Sequence, residues 1–145
     1  MTTSTGRPAL GALHHLAITV SDVEASAAWY ERVLGLQRLP APFPHHGDES
    51  PGFGVLLVEP SAGWAIGVHH HERYRPEAAD ESRTGMDHVG LSVPDRRDLD
   101  EWSAHLDAVG VRHSGVTDVA DPIPYSALVF RDPDNIQLEL VHLPG

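Results

Sequence analysis

His15-Leu-Ala-Ile-Thr-Val20-Ser-Asp22 recurs 73 residues later as His88-Val-Gly-Leu-Ser-Val93-Pro-Asp95. The same spacing carries Trp29 onto Trp102, and two such intervals nearly span the 145 residues of the chain. A spacing of 72 sets Leu56, Val58 and Gly67 opposite Leu128, Phe130 and Glu139, as the loss of one loop residue between them would do. Self-similarity at a fixed interval across a whole chain marks a duplicated structural unit.

Each copy reads the same way. Leu13 to Val20 and Met86 to Val93 alternate, with Leu16, Ile18 and Val20 on one face and His15, Ala17 and Thr19 on the other; this is the period of a half-buried strand. Val89, Leu91 and Val93 likewise oppose His88, Gly90 and Ser92. A helix follows in each copy. Ser21 and Asp22 precede Val23 to Leu34, which Gly35 closes, and Pro94 and Asp95 precede a helix ending at Gly110. Three strands complete each copy, near 37–39, 53–58 and 64–69, then 111–116, 125–130 and 136–142. The chain is therefore expected to be α+β, a single domain of βαβββ units over 13–70 and 86–143 with a linker over 71–85. Pro40 to Gly52, with four prolines and the pair His45-His46, reads as a loop. A helical turn is expected in the linker around Pro76 to Glu81.

Composition narrows the chemistry. There is no cysteine, and all ten basic residues are arginine. A thiol nucleophile, a disulfide frame, a Cys-ligated metal and a lysine Schiff base are excluded. A formal charge of −11 disfavours nucleic acid and anionic membrane surfaces as partners. Met1 to Pro8 contains no apolar signal-peptide core and no later run is long enough to span a membrane, so a cytoplasmic location is expected. What remains is 11 histidines beside 21 carboxylates, ligands that divalent Zn, Mn, Fe, Ni or Co accept.

Strand parity selects among them. His15 and His88 occupy equivalent places in the repeat, each on the face of small residues. Glu139 lies between Leu138 and Leu140 but on the opposite face from both, and a carboxylate there is costly to bury unpaired. Together they form a His, His, Glu set with open positions for substrate. His69 shares the face of Gly67 and is a candidate fourth ligand or general base; Tyr125 is the other acid–base candidate. His14 and His70 point away from His15 and His69 and are rejected as ligands. Trp29 and Trp102 read as core anchors.

The segments 15–22, Trp29-Tyr30-Glu-Arg-Val-Leu-Gly35-Leu36 and Phe130-Arg-Asp-Pro-Asp-Asn135-Ile-Gln-Leu-Glu139 resemble the vicinal oxygen chelate superfamily, which embraces glyoxalases, extradiol dioxygenases and bleomycin-resistance proteins. The resemblance implies a glyoxalase-like fold, a curved mixed sheet of eight strands from paired βαβββ modules, with a divalent ion held by His15, His88 and Glu139 and frequent homodimerisation. It implies a small-molecule substrate with neighbouring oxygens and lyase, isomerase or transferase chemistry; extradiol dioxygenation and non-catalytic sequestration of a ligand are the alternatives. Where four-ligand members carry Glu or Gln, this chain has Gly67, so His69 would have to substitute. Val129 stands where the dioxygenase signature has tyrosine.

Overall fold

The computed structural model describes residues 6–44 and 51–145; His45 and His46 lie outside them. The first half contains β1 (His15–Thr19), α1 (Val23–Leu34), β2 (Gln37–Arg38), β3 (Phe43–Pro44), β4 (Gly52–Val58) and β5 (Ala65–His71). The second half contains β6 (His88–Ser92), α2 (Arg96–Ala108), β7 (His113–Val119), β8 (Tyr125–Arg131) and β9 (Gln137–His142). Strands are ordered β1-β5-β4-β2 in one sheet, with β3 also on β4, and β6-β9-β8-β7 in the other. In each half the first strand lies parallel to the last, and the remaining pairs are antiparallel.

The helices begin and end where backbone chemistry requires. The Asp22 carboxylate accepts from the Ala25 amide at 3.0 Å, and Gly35 closes α1 at φ +70°, a left-handed conformation that glycine adopts without a Cβ penalty. Asp95 caps α2 reciprocally, its carboxylate accepting from Arg97 N while its own amide donates to Asp98. Ile18, Val55, Leu57, Ile66 and Val68 of the first sheet meet α1 through Val23, Ala27, Tyr30 and Val33. Leu128, Phe130, Leu138 and Leu140 meet Leu99 and Leu106 of α2, and all belong to one apolar cluster. Trp29 and Trp102 pack against that cluster, as anchors do.

A buried polar joint ties the halves together. Tyr30 of α1 donates its hydroxyl to Asp132 Oδ2 at 2.8 Å, and Asp132 Oδ1 accepts from the amides of Asp134 and Ile136, both at 2.9 Å. Burial pushes the Asp132 carboxyl above its ordinary range although three donors favour the ionised form; burial and the neighbouring carboxylate push the Tyr30 phenol up. Ser21 N donates to Asp134, Arg32 to the Val109 carbonyl, and His105 Nε2 lies 2.8 Å from the Val33 carbonyl.

The paired βαβββ organisation is as the repeat implies, but the details differ. Among the described residues the strands are hydrogen-bonded as two separate sheets instead of one sheet of eight, because β1 and β6 each pair along one edge there. Part of the proline-rich segment forms β3. Pro44 lacks an amide hydrogen and is tolerated at such a margin. The register of β7 slips between His113 and Val116, where Gly115 adopts φ +74°, and the strand runs to Val119. No helical turn forms over 76–81. That segment is held by Ala79, whose amide donates to the Asp134 carbonyl and whose carbonyl accepts from Asn135 Nδ2.

Several arginines pair with carboxylates, including Arg38 with Glu24, Arg96 with Asp118 and Arg131 with Glu81. The Arg131 hydrogen bond holds the Glu81 carboxyl down at about 2. A carboxyl depressed in the folded state stabilises above its unfolded pKa, and that contribution is lost as pH falls through the folded value. The stability difference between wild type and Glu81→Gln is therefore expected to be constant near neutral pH and to vanish between about pH 4.5 and 2 in denaturant titrations. Tyr30→Phe, which removes a donor to a buried carboxylate, is expected to cost about 1–3 kcal/mol in urea unfolding.

Candidate functional site

The helix-free faces of the two sheets carry the candidate residues. Register places His15, Ala17 and Thr19 of β1 beside Ala65, Gly67 and His69 of β5. It places His88, Gly90 and Ser92 of β6 beside Gln137, Glu139 and Val141 of β9. Gly67 and Glu139 are thus equivalent positions, each paired with the second residue after the strand's first histidine.

In the second half, His88 and Glu139 come together. Nε2 of His88 lies 3.4 Å from Glu139 Oε2, and its Nδ1 lies 2.6 Å from Oδ1 of Asp87. A carboxylate accepts and does not donate, so the contact with Asp87 requires a hydrogen on Nδ1. If the ring is neutral, Nε2 then presents a lone pair to the carboxylate of Glu139. Two acceptors that close need something positive between them: a proton on Nε2 or a cation.

In the first half, His15 is exposed at the start of edge strand β1, with Nδ1 2.8 Å from Nδ1 of His14. His69 is buried at 9% exposure, and its imidazole is laid over the two glycines. A Cβ built on Gly67 would lie 3.2 Å from His69 Nε2, and one on Gly54 would lie 2.8 Å from it. The ring of Phe43 packs edge-on against His69 at 5.2 Å between centroids. Any larger residue at 54 would collide with both rings, so the glycines make the shelf on which the imidazole rests.

Tyr125 shares the face of Glu139 through the register of β8 on β9, but it stands four residues from Val129, the partner of Glu139. At strand rise that is roughly 13 Å along the sheet. At the other end, Arg131 donates to Gln137 and to Glu81.

His15 and His88 line one cleft of about 800 Å³ between the open edges of β1 and β6, walled by Leu13, Leu16, Trp64, Met86 and Leu91. Among the described residues no three His, Asp or Glu side chains converge closely enough to hold a metal ion. The structure therefore joins His88 to Glu139 within one chain and leaves His15 and His69 on the other sheet. Sequence reasoning missed Asp87 and His14 as partners of the candidate histidines. Their signal was available, since they are the preceding residues in both copies of the repeat. Phe43 could not be found this way, because it lies in a segment outside the repeat.

Residues 12–140 match the model of the Glyoxalase/Bleomycin resistance protein/Dioxygenase superfamily. Among solved structures, the chain is similar to a glyoxylase/bleomycin resistance protein/dioxygenase domain from Frankia sp. EAN1pec, at 29% identity and a TM-score of 0.74 over 94% of this chain and 100% of that one. A glyoxalase family protein from Enterococcus faecalis shares the fold at 23% identity and a TM-score of 0.70, over 90% of this chain and 97% of that one. So does a lactoylglutathione lyase from Agrobacterium tumefaciens, at 18% identity and 0.66, over 91% and 93% respectively. No curated protein matches the sequence. With the family model spanning both βαβββ halves, the chain belongs to the Glyoxalase/Bleomycin resistance protein/Dioxygenase superfamily.

Proposed function

We propose that this protein is a divalent-metal-dependent enzyme acting on a small substrate with two neighbouring oxygens, by lyase, isomerase or transferase chemistry. The observation that carries this reading is the facing of His88 Nε2 and Glu139 Oε2 at 3.4 Å. Two donors bonded to one ion at about 2.0–2.2 Å in tetrahedral geometry stand about 3.4 Å apart, so the pair fits a shared ion without rearrangement. Imidazole and carboxylate are also the donor types that Zn, Ni, Mn, Fe and Co accept. His15 is the third ligand in this reading. An ion held there would supply Lewis-acid polarisation of the substrate oxygens. His69, on its glycine shelf, serves as the proton carrier; Tyr125 contacts only the distal part of a longer substrate.

In this reading His15 comes from a second copy of the chain, because among the described residues of one chain no third ligand converges on His88 and Glu139 although His15 lines the same cleft. Strands β1 and β6 both present an unpaired edge to the same apolar cleft, and unpaired edges beside apolar surface favour strand pairing with another chain. If β1 of each copy lies beside β6 of the other, the contact is isologous and generates two identical sites. Each would combine His15 from one copy with His88 and Glu139 from the other. The apolar cleft itself supports a second reading, sequestration of a ligand without catalysis; binding of a small ligand that persists after chelation would favour it.

Metal analysis of the purified protein is expected to give about one equivalent per chain, falling below about a tenth in His88→Ala. Less than about a tenth in both would overturn the metal reading. His15→Ala and His88→Ala are each expected to lose the ion, while refolding them together restores about half the sites in the mixed dimer. No recovery on mixing would place His15 and His88 of each site in the same chain.

A further inference from the structure

The residues immediately before the two candidate histidines, His14 and Asp87, occupy equivalent places 73 residues apart. Asp87 Oδ1 approaches His88 Nδ1 at 2.6 Å while Glu139 faces Nε2 at 3.4 Å. His14 Nδ1 approaches His15 Nδ1 at 2.8 Å. Both histidines therefore engage the preceding side chain through Nδ1, which leaves Nε2 as the nitrogen available to the site. The duplication has preserved the arrangement while changing the partner from imidazole to carboxylate.

The two partners act differently. Asp87 can only accept, so it commits a neutral His88 to the form with hydrogen on Nδ1 and a lone pair on Nε2. His14 can accept or donate. When His14 accepts, His15 carries its hydrogen on Nδ1 and exposes a lone pair at Nε2. When His14 donates, the hydrogen of His15 moves to Nε2 and the ring is closed to an ion there. One histidine is fixed in its ligating form and the other is conditional on its neighbour.

We propose that Asp87 and His14 are positioning residues that set the tautomers of His88 and His15, Asp87 rigidly and His14 conditionally. Their effect on ion binding rests on the reading above that these histidines hold the ion; their effect on the tautomers does not. Outer partners of ligating histidines fix ring orientation and raise ligand basicity, and their loss typically weakens metal binding by about 10–100-fold.

The experiment has two arms, and both use side chains at exposed positions. In the first, the metal-free full chain carrying 15N-labelled histidine is observed by NMR at mildly alkaline pH, where neutral imidazoles report their tautomers directly. His88 is expected in the Nδ1–H form in wild type. It should move toward the Nε2–H form in Asp87→Ala and stay in the Nδ1–H form in Asp87→Asn, whose amide oxygen still accepts. A wild-type His88 in the Nε2–H form, or an Asp87→Ala spectrum unchanged from wild type, would overturn the proposal. In the second arm, Co(II) is titrated and followed by its visible absorption. Asp87→Ala and His14→Ala are each expected to weaken binding by about 10–100-fold, with Asp87→Asn closer to wild type. Unchanged affinity in both alanine variants would overturn their role at the ion. If wild type takes up no Co(II), the metal reading fails, and the NMR arm still decides the tautomer proposal.

Discussion

The Asp132 carboxylate, buried at the turn between β8 and β9, is the group on which the arrangement of the two halves depends. It receives one hydrogen bond from the helix of the first half and two from the backbone of its own turn. A buried carboxylate with any of these removed leaves lone pairs without partners in a region that water does not reach. The turn and helix α1 are thereby held in a single relative position. The neighbouring bonds from Ser21 to Asp134 and from Ala79 to Asp134 bring the end of β1 and the linker to the same point. That position brings β1 and β6 to opposite walls of one cleft.

With the joint fixed, the two halves make unequal contributions. The second half offers a carboxylate and an imidazole already facing each other at 3.4 Å. The first half offers an imidazole on an exposed edge and another spread across two glycines. Duplication alone would have given two alike faces. The differences include two equivalent positions at the candidate residues, Gly67 against Glu139 and His14 against Asp87, and each of these places negative charge in the second half.

Most of this was legible in the sequence, for physical reasons that can be named. The repeat, the alternation of 15–20 and 88–93, and the caps at Asp22, Gly35 and Asp95 are local signals with periods or end residues that backbone geometry enforces. The equivalence of His15 with His88, and the face shared by His88, Gly90 and Glu139, followed from parity. Parity says which face a side chain takes, and nothing about how far apart two sheets lie. For that reason Tyr125 looked like a neighbour of the site and sits well along the strand from Glu139. The same limit hid the separation of His15 from the pair His88 and Glu139. Strand β3 and the contact of Phe43 with His69 were illegible, because tertiary packing decides them within a segment whose prolines signal a loop.

The shelf of Gly54 and Gly67 has a consequence for the surface above it. At most points on a sheet the height of the surface is set by the residue directly beneath, built on its own Cβ. Here it is set by one imidazole anchored two residues away and rotating about two side-chain bonds. The level of the first half's face at that point is therefore set by His69 and by Phe43 packed edge-on against it, and not by the residues at 54 and 67. In the second half the equivalent position carries Glu139, so there the face is built by the side chain of its own strand residue, and the two halves reach their surfaces by different means.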